Sequence, residues 1–153
     1  MAAIRVLIAD QDQVLLETYK RFLADRDVEP SFAVSGLDCI GCLRDSCPDV
    51  LVLDPDLHWG DGAGVLERMY GDPRVPTVPV ILTSDARDAE QLSLVRKYPF
   101  EVFMVKPVSP QEVLKKIRGV HYSARPESHP NMSGSEAAAR CNSWLSDMRY
   151  SPA

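Results

Sequence analysis

The chain has 153 residues, of which 45% are hydrophobic and 25% charged, which is enough apolar sequence for one domain with a buried core. Its formal net charge of −5 disfavours nucleic-acid binding, because that role needs a basic face. No apolar run approaches the roughly 18 residues of a membrane span, and the N-terminus lacks a signal-peptide layout. We therefore expect a cytoplasmic protein that binds neither nucleic acid nor membranes.

Short runs of apolar, often β-branched residues predict the strands. Because these runs are apolar on both faces, they are typical of parallel strands buried between two layers of helices. The four clear runs are Ile4–Ala9, Val50–Leu53, 78–82 and Val102–Val105, and residues 31–34 form a weaker fifth candidate.

Helical patterns lie between the predicted strands. Asp12 is placed to cap the first helix, in which apolar residues recur at helical spacing. The other four predicted helices cover residues 37–44, 63–70, 86–97 and 111–118. Five alternations of strand and helix indicate an α/β domain with helices on both faces of the sheet.

The composition changes after the fifth helix. We assign residues 1–120 to the domain and residues 121–134, rich in Ser, Pro, Asn and His, to a flexible linker. Residues 135–150 can form an amphipathic helix with one apolar stripe. That stripe has to dock on its own domain, on a second copy in a homodimer, or on a partner.

Polar side chains of the kinds that carry out chemistry stand at the carboxyl ends of the predicted strands. Asp10 follows the first strand, Asp54 the third, Thr83 the fourth and Lys106 the fifth. Ligands of open α/β sheets bind at that edge, so these four residues are expected to converge there. Two carboxylates, a hydroxyl and an ammonium suit phosphoryl transfer, with one carboxylate as nucleophile and Mg²⁺ as counter-charge.

The motifs that contain these residues resemble the receiver domain of bacterial response regulators. Residues 7–10, 48–54, 81–84 and 105–107 follow the family's order and spacing, and Asp61-Gly62 matches its loop before the third helix. The resemblance covers about residues 4–120. It implies a flavodoxin-like, doubly wound, five-stranded parallel sheet in the order 2-1-3-4-5.

The resemblance also implies roles around a magnesium site. Asp54 would be the phosphoacceptor, and Asp10, Asp54 and the backbone carbonyl of Asp56 would hold Mg²⁺. Where the family has a second acid that contacts the metal directly, this chain has Gln11, whose carbonyl oxygen is a weaker candidate ligand. The side chain of Asp56 either restores the lost charge through a water or repels the incoming phosphoryl group.

Further roles follow from the same resemblance for the last two strands. Thr83 and Lys106 would bind the oxygens of the acquired phosphoryl group, and a cis bond would precede Pro107. Phe103 occupies the family's aromatic switch position, which responds to movement of Thr83. An ordinary core phenylalanine is an equally good interpretation of Phe103.

Three functional classes remain open at this point. The first is a phospho-receiver in a two-component phosphorelay, whose partners are a sensor histidine kinase or a histidine phosphotransfer protein and an unknown downstream protein. The second is a degenerate receiver that acts as a phosphorylation-independent protein-interaction module, because Gln11 has weakened the metal site. The third, a flavin or nucleotide binder, is disfavoured because no glycine-rich phosphate loop follows the first strand. As a receiver the chain takes part only in its own phosphorylation and dephosphorylation, so we do not expect an enzyme in the ordinary sense.

Overall fold

The computed structural model describes residues 3–85, 87 and 89–124, in which strands and helices alternate along the chain. The strands are β1 (Ile4–Ala9), β2 (Val28–Ala33), β3 (Val50–Leu53), β4 (Val80–Ser84) and β5 (Val102–Val105). The helices are α1 (Gln13–Leu23), α2 (Gly36–Ser46), α3 (Gly62–Gly71), α4 (Ala89–Val95) and α5 (Pro110–Ser123). Within these ranges no helix is long and apolar enough to cross a membrane.

The five strands form one sheet in the order β2-β1-β3-β4-β5, and every pair is parallel. The predicted flavodoxin-like fold and strand order are therefore confirmed. Chain order reverses between β1 and β3, and a crevice opens at such a switch point beside the carboxyl ends of the strands. The fold thus fixes where a ligand site should lie.

Two apolar cores cover the two faces of the sheet. Successive side chains of a strand point to opposite faces, so β3 serves both cores. Leu51 and Leu53 pack toward α2, α3 and α4, whereas Val50 and Val52 pack toward α1 and α5. All four are buried, which explains why this strand is a continuous apolar run.

Capping side chains fix where the helices begin. Asp12 accepts hydrogen bonds from the backbone N–H groups of Val14 and Leu15 at 3.0 and 3.1 Å, so its predicted role as the cap of α1 is confirmed. Ser109 and Glu112 form a reciprocal capping box at the start of α5. The loops that carry polar residues after β1 and β5 are therefore anchored to helix starts.

Some predicted boundaries were wrong. The second strand covers Val28–Ala33 rather than residues 31–34, and the fourth covers Val80–Ser84 rather than 78–82. The fourth helix covers Ala89–Val95 rather than residues 86–97, and the fifth covers Pro110–Ser123 rather than residues 111–118. Residues 125–134 of the predicted linker and the predicted helix 135–150 lie outside the described residues.

The loop between β3 and α3 is hydrogen-bonded to the start of α2. The N–H groups of Gly36 and Leu37 donate to the carbonyl oxygens of His58 and Trp59 at 2.9 and 3.0 Å. A Cβ on Gly36 would lie 1.4 Å from the carbonyl oxygen of Gly60, so only glycine allows this approach. We call this contact the loop–α2 seam.

We expect Gly36→Ala to destabilise the fold by roughly 2–3 kcal/mol, because the added methyl group forces the seam apart. Gly41→Ala is the matched control in the same helix, since nothing lies within 4 Å of its added Cβ. That change should stabilise the protein by about 0.5–1 kcal/mol through helix propensity. Urea unfolding of both variants tests this, and equal stabilities would contradict it.

Candidate functional site

Two aspartates stand side by side at the carboxyl ends of the central strands. Ala9 of β1 and Leu53 of β3 are register partners, and Asp10 and Asp54 follow them directly. Asp10 is 3% exposed and Asp54 7% exposed. Burying two carboxylates so close together is costly unless a positive charge compensates them.

Lys106 provides that positive charge. Its Nζ atom lies 2.5 Å from Oδ2 of Asp10 and 2.5 Å from Oδ2 of Asp54. The lysine follows β5, and its backbone N–H donates to the carbonyl oxygen of Ser84 at 2.7 Å. The Lys106–Pro107 bond is cis, as the family resemblance implies. The structure thus brings together three residues that are far apart in the sequence.

Burial and pairing act in opposite directions on the protonation of these groups. Burial raises the pKa of Asp54 above its ordinary value, while the hydrogen bonds from Lys106 and from the N–H of Asp56 act to lower it. Burial alone would lower the pKa of Lys106, but the hydrogen bonds and charges of Asp54 and Asp10 raise it. The ammonium therefore stays protonated at neutral pH.

Thr83 lies at the same edge of the sheet. It follows Leu82, the register partner of Leu53, so it stands on β4 next to the position of Asp54. Its side chain is buried, at 3% exposure. Phe103 of β5 is partly buried and packs against the core on the α3 face, with its ring centroid 6.3 Å from that of Phe100.

Gln11 and Asp56 form a pair at the rim of the site. Nε2 of Gln11 donates to Oδ2 of Asp56 at 3.2 Å, and the backbone N–H of Asp56 donates to Oδ1 of Asp54 at 2.8 Å. Oε1 of Gln11 is buried and has no hydrogen-bond partner. The sequence predicted a separate role for each of these two residues and did not predict their contact. No local pattern links two positions that are 45 residues apart.

These oxygen atoms fit a magnesium site. Among the described residues, no three acidic, histidine or cysteine side chains come close enough to hold a metal ion by themselves. Mg²⁺ is usually held by one or two carboxylates together with neutral oxygens and water. Asp10 and Asp54 supply the carboxylates, and Gln11, the next residue after Asp10, supplies a neutral oxygen that has no hydrogen-bond partner.

Comparison with known proteins identifies the family. The model of the response regulator receiver domain matches residues 6–118. The chain therefore belongs to the response regulator receiver domain family, a family of signalling modules.

Relatives and solved structures agree with this assignment. An uncharacterized 14.6 kDa protein of Leptolyngbya boryana is 25% identical over 119 residues, which are 77% of this chain and 90% of that protein. The response regulator MprA of Mycobacterium tuberculosis is 23% identical over 125 residues, 82% of this chain but only 54% of MprA. The chain thus spans about half the length of that relative.

Two solved structures share the fold at low sequence identity. A CheY-like receiver domain protein from Methanospirillum hungatei has a TM-score of 0.69 at 20% identity, covering 79% of this chain and 95% of that one. The chemotaxis response regulator CheY4 of Vibrio cholerae has a TM-score of 0.67 at 18% identity. The match covers 77% of this chain and 98% of that one.

We expect Lys106→Met to destabilise the protein by about 2–3 kcal/mol at neutral pH, because two buried carboxylates lose their counter-charge. The folded pKa of Lys106 is raised, so its contribution is complete below the ordinary value of 10.5 and disappears only as pH rises through the folded value. A measurement at neutral pH therefore records the whole contribution of Lys106 to stability.

Lys116→Met, at an exposed position of α5, is the control and should change stability by less than about 0.5 kcal/mol. Urea unfolding measures both changes, and an equal loss of stability in the two variants would contradict the role of Lys106 as counter-charge.

Proposed function

We propose that this chain accepts a phosphoryl group on Asp54 from a phosphohistidine, in a Mg²⁺-dependent phosphorelay of two-component signalling. The observation that carries the proposal is the Lys106 ammonium bridging the buried carboxylates of Asp10 and Asp54 at 2.5 Å. A buried nucleophilic carboxylate with an ammonium beside it suits the transfer of an anionic group. The family assignment supports the same role.

The proposed chemistry begins with a carboxylate oxygen of Asp54. It attacks phosphorus, the bond from phosphorus to the donor's imidazole nitrogen breaks, and the electron pair stays on that nitrogen. The N–H of Asp56, 2.8 Å from Oδ1 of Asp54, holds the carboxylate in position during the attack. Bound Mg²⁺ would supply charge neutralisation, with Asp10, Asp54, the carbonyl of Asp56 and the oxygen of Gln11 as the oxygens that hold it.

Lys106 and Thr83 have a second task in this proposal. The ammonium leaves the carboxylates and pairs with an oxygen of the new phosphoryl group, and the hydroxyl of Thr83 hydrogen-bonds another. Movement of Thr83 opens space on β4, and the ring of Phe103 on the neighbouring strand responds by repacking. Phosphorylation would then favour a different arrangement of the loops after β4 and β5.

The proposed partners follow from this chemistry. The donor is a sensor histidine kinase or a histidine phosphotransfer protein in the cytoplasm, and the signal passes to a downstream protein rather than to nucleic acid. The chain would not be an enzyme in the ordinary sense, because its only substrate is its own aspartate. MprA is a response regulator by name, and this chain matches only part of it.

A second candidate function is a degenerate receiver that binds its partner without phosphorylation. Gln11 favours this candidate, because it removes one negative charge from the residues that would face the cation. The two candidates differ in one measurable property, the acquisition of a phosphoryl group.

Incubation with Mg²⁺ and acetyl phosphate, followed by intact mass spectrometry, tests the proposal. We expect the added mass of one phosphoryl group on the wild-type chain and none on Asp54→Asn, because the amide is not a nucleophile at this step. Asp45→Asn, at an exposed position of α2, is the matched control and should be labelled like the wild type. Chelation of Mg²⁺ should abolish labelling. An unlabelled wild-type chain would support the degenerate receiver instead.

A further inference from the structure

Gln11 stands where receiver domains usually have a second acid after β1, and it pairs with Asp56. In the family pattern a second acid follows the first, and here that position holds a neutral amide. Asp56 comes from a different loop, yet its Oδ2 lies 3.2 Å from the amide nitrogen of Gln11. A carboxylate is therefore present beside the position from which one is missing.

The contact also determines which way the amide of Gln11 faces. A carboxylate only accepts hydrogen bonds, so Asp56 has to face the NH₂ group, and Oε1 points the other way. That oxygen is buried without a partner. An unpartnered buried acceptor is costly, and a cation that it coordinates removes the cost.

Asp56 is held in place by its own loop. Its N–H donates to Asp54 at 2.8 Å, and the carbonyl oxygen of Pro55 accepts from the N–H of Gly62 at 2.9 Å. A Cβ on Gly62 would lie 2.5 Å from Cα of Pro55, so the loop is closely packed here. The exposed side chain of Asp56 carries its charge without the cost of burial.

We propose that the carboxylate of Asp56 takes the electrostatic place of the family's second acid, and that it turns the carbonyl oxygen of Gln11 toward a divalent cation. The inference rests on the proposed function, because it concerns the same cation site. It assigns Asp56 a side-chain role in addition to that of its backbone carbonyl. The missing acid has thus been relocated from the β1–α1 loop to the β3–α3 loop.

Binding of Mn²⁺ tests this relocation. Electron paramagnetic resonance measures the concentration of the free ion, and competition with Mg²⁺ gives the affinity for that cation. Asp56→Asn keeps an acceptor for Gln11 but removes the charge, and we expect about tenfold weaker binding. The double variant Gln11→Asp with Asp56→Asn returns the acid to its family position and should recover affinity to within about threefold of the wild type. Glu17→Gln removes an exposed charge from α1 and should alter affinity by less than about twofold.

Several results would overturn the inference. These are unchanged affinity in Asp56→Asn, an equal loss in Glu17→Gln, or no recovery in the double variant. The phosphoryl-labelling experiment is independent of these measurements. A chain that binds Mn²⁺ as expected but gains no phosphoryl group would overturn the proposed function and leave the role of Asp56 standing.

Discussion

The bridge from Lys106 to two buried carboxylates is the interaction on which the rest of the site depends. Asp10 and Asp54 lie at the ends of adjacent strands, where the two largely buried carboxylates would repel each other. The compensating ammonium belongs to the residue after β5, which lies two strands away from β3, so the bridge depends on the placement of β5 relative to β1 and β3. Sheet topology and site electrostatics are therefore one constraint, and the parallel arrangement satisfies it by placing all carboxyl ends at one edge.

The sequence predicts the strand bounds best where the strand is an apolar run with clear ends. The bounds of β1, β3 and β5 were predicted correctly because each is an apolar run, which only Arg5 of β1 interrupts. β2 lies at the edge of the sheet and begins with Val28, Glu29 and Pro30, so its pattern is weak. β4 continues through polar Thr83 and Ser84, because hydrogen bonding to β5 extends beyond the apolar run. Hydrophobic patterns report burial, and they do not report where a ladder of hydrogen bonds ends.

The candidate site was predictable as a location and less so as a set of contacts. Strand ends gave the positions of Asp10, Asp54 and Lys106, whereas the roles expected of them rest on the family resemblance and stay predictions. The sequence did not reveal that one ammonium bridges both carboxylates. Nor did it reveal that Gln11 meets Asp56, since that contact depends on how two loops fold over the edge of the sheet. Such contacts are set by tertiary structure, and neither loop carries a local pattern for them.

The loop–α2 seam has a mechanical consequence for the molecule. The first two N–H groups of α2 have no partner within their own helix, and the carbonyl oxygens of His58 and Trp59 satisfy them. If the loop that follows Asp54 shifts, it either leaves these donors unsatisfied, at about 1 kcal/mol or more each, or carries the start of α2 along. Exposed Leu37 and Trp59 stand on either side of the seam. Displacement of the loop after Asp54 is thus linked to an apolar surface near the β2 edge of the sheet, at the end opposite β5.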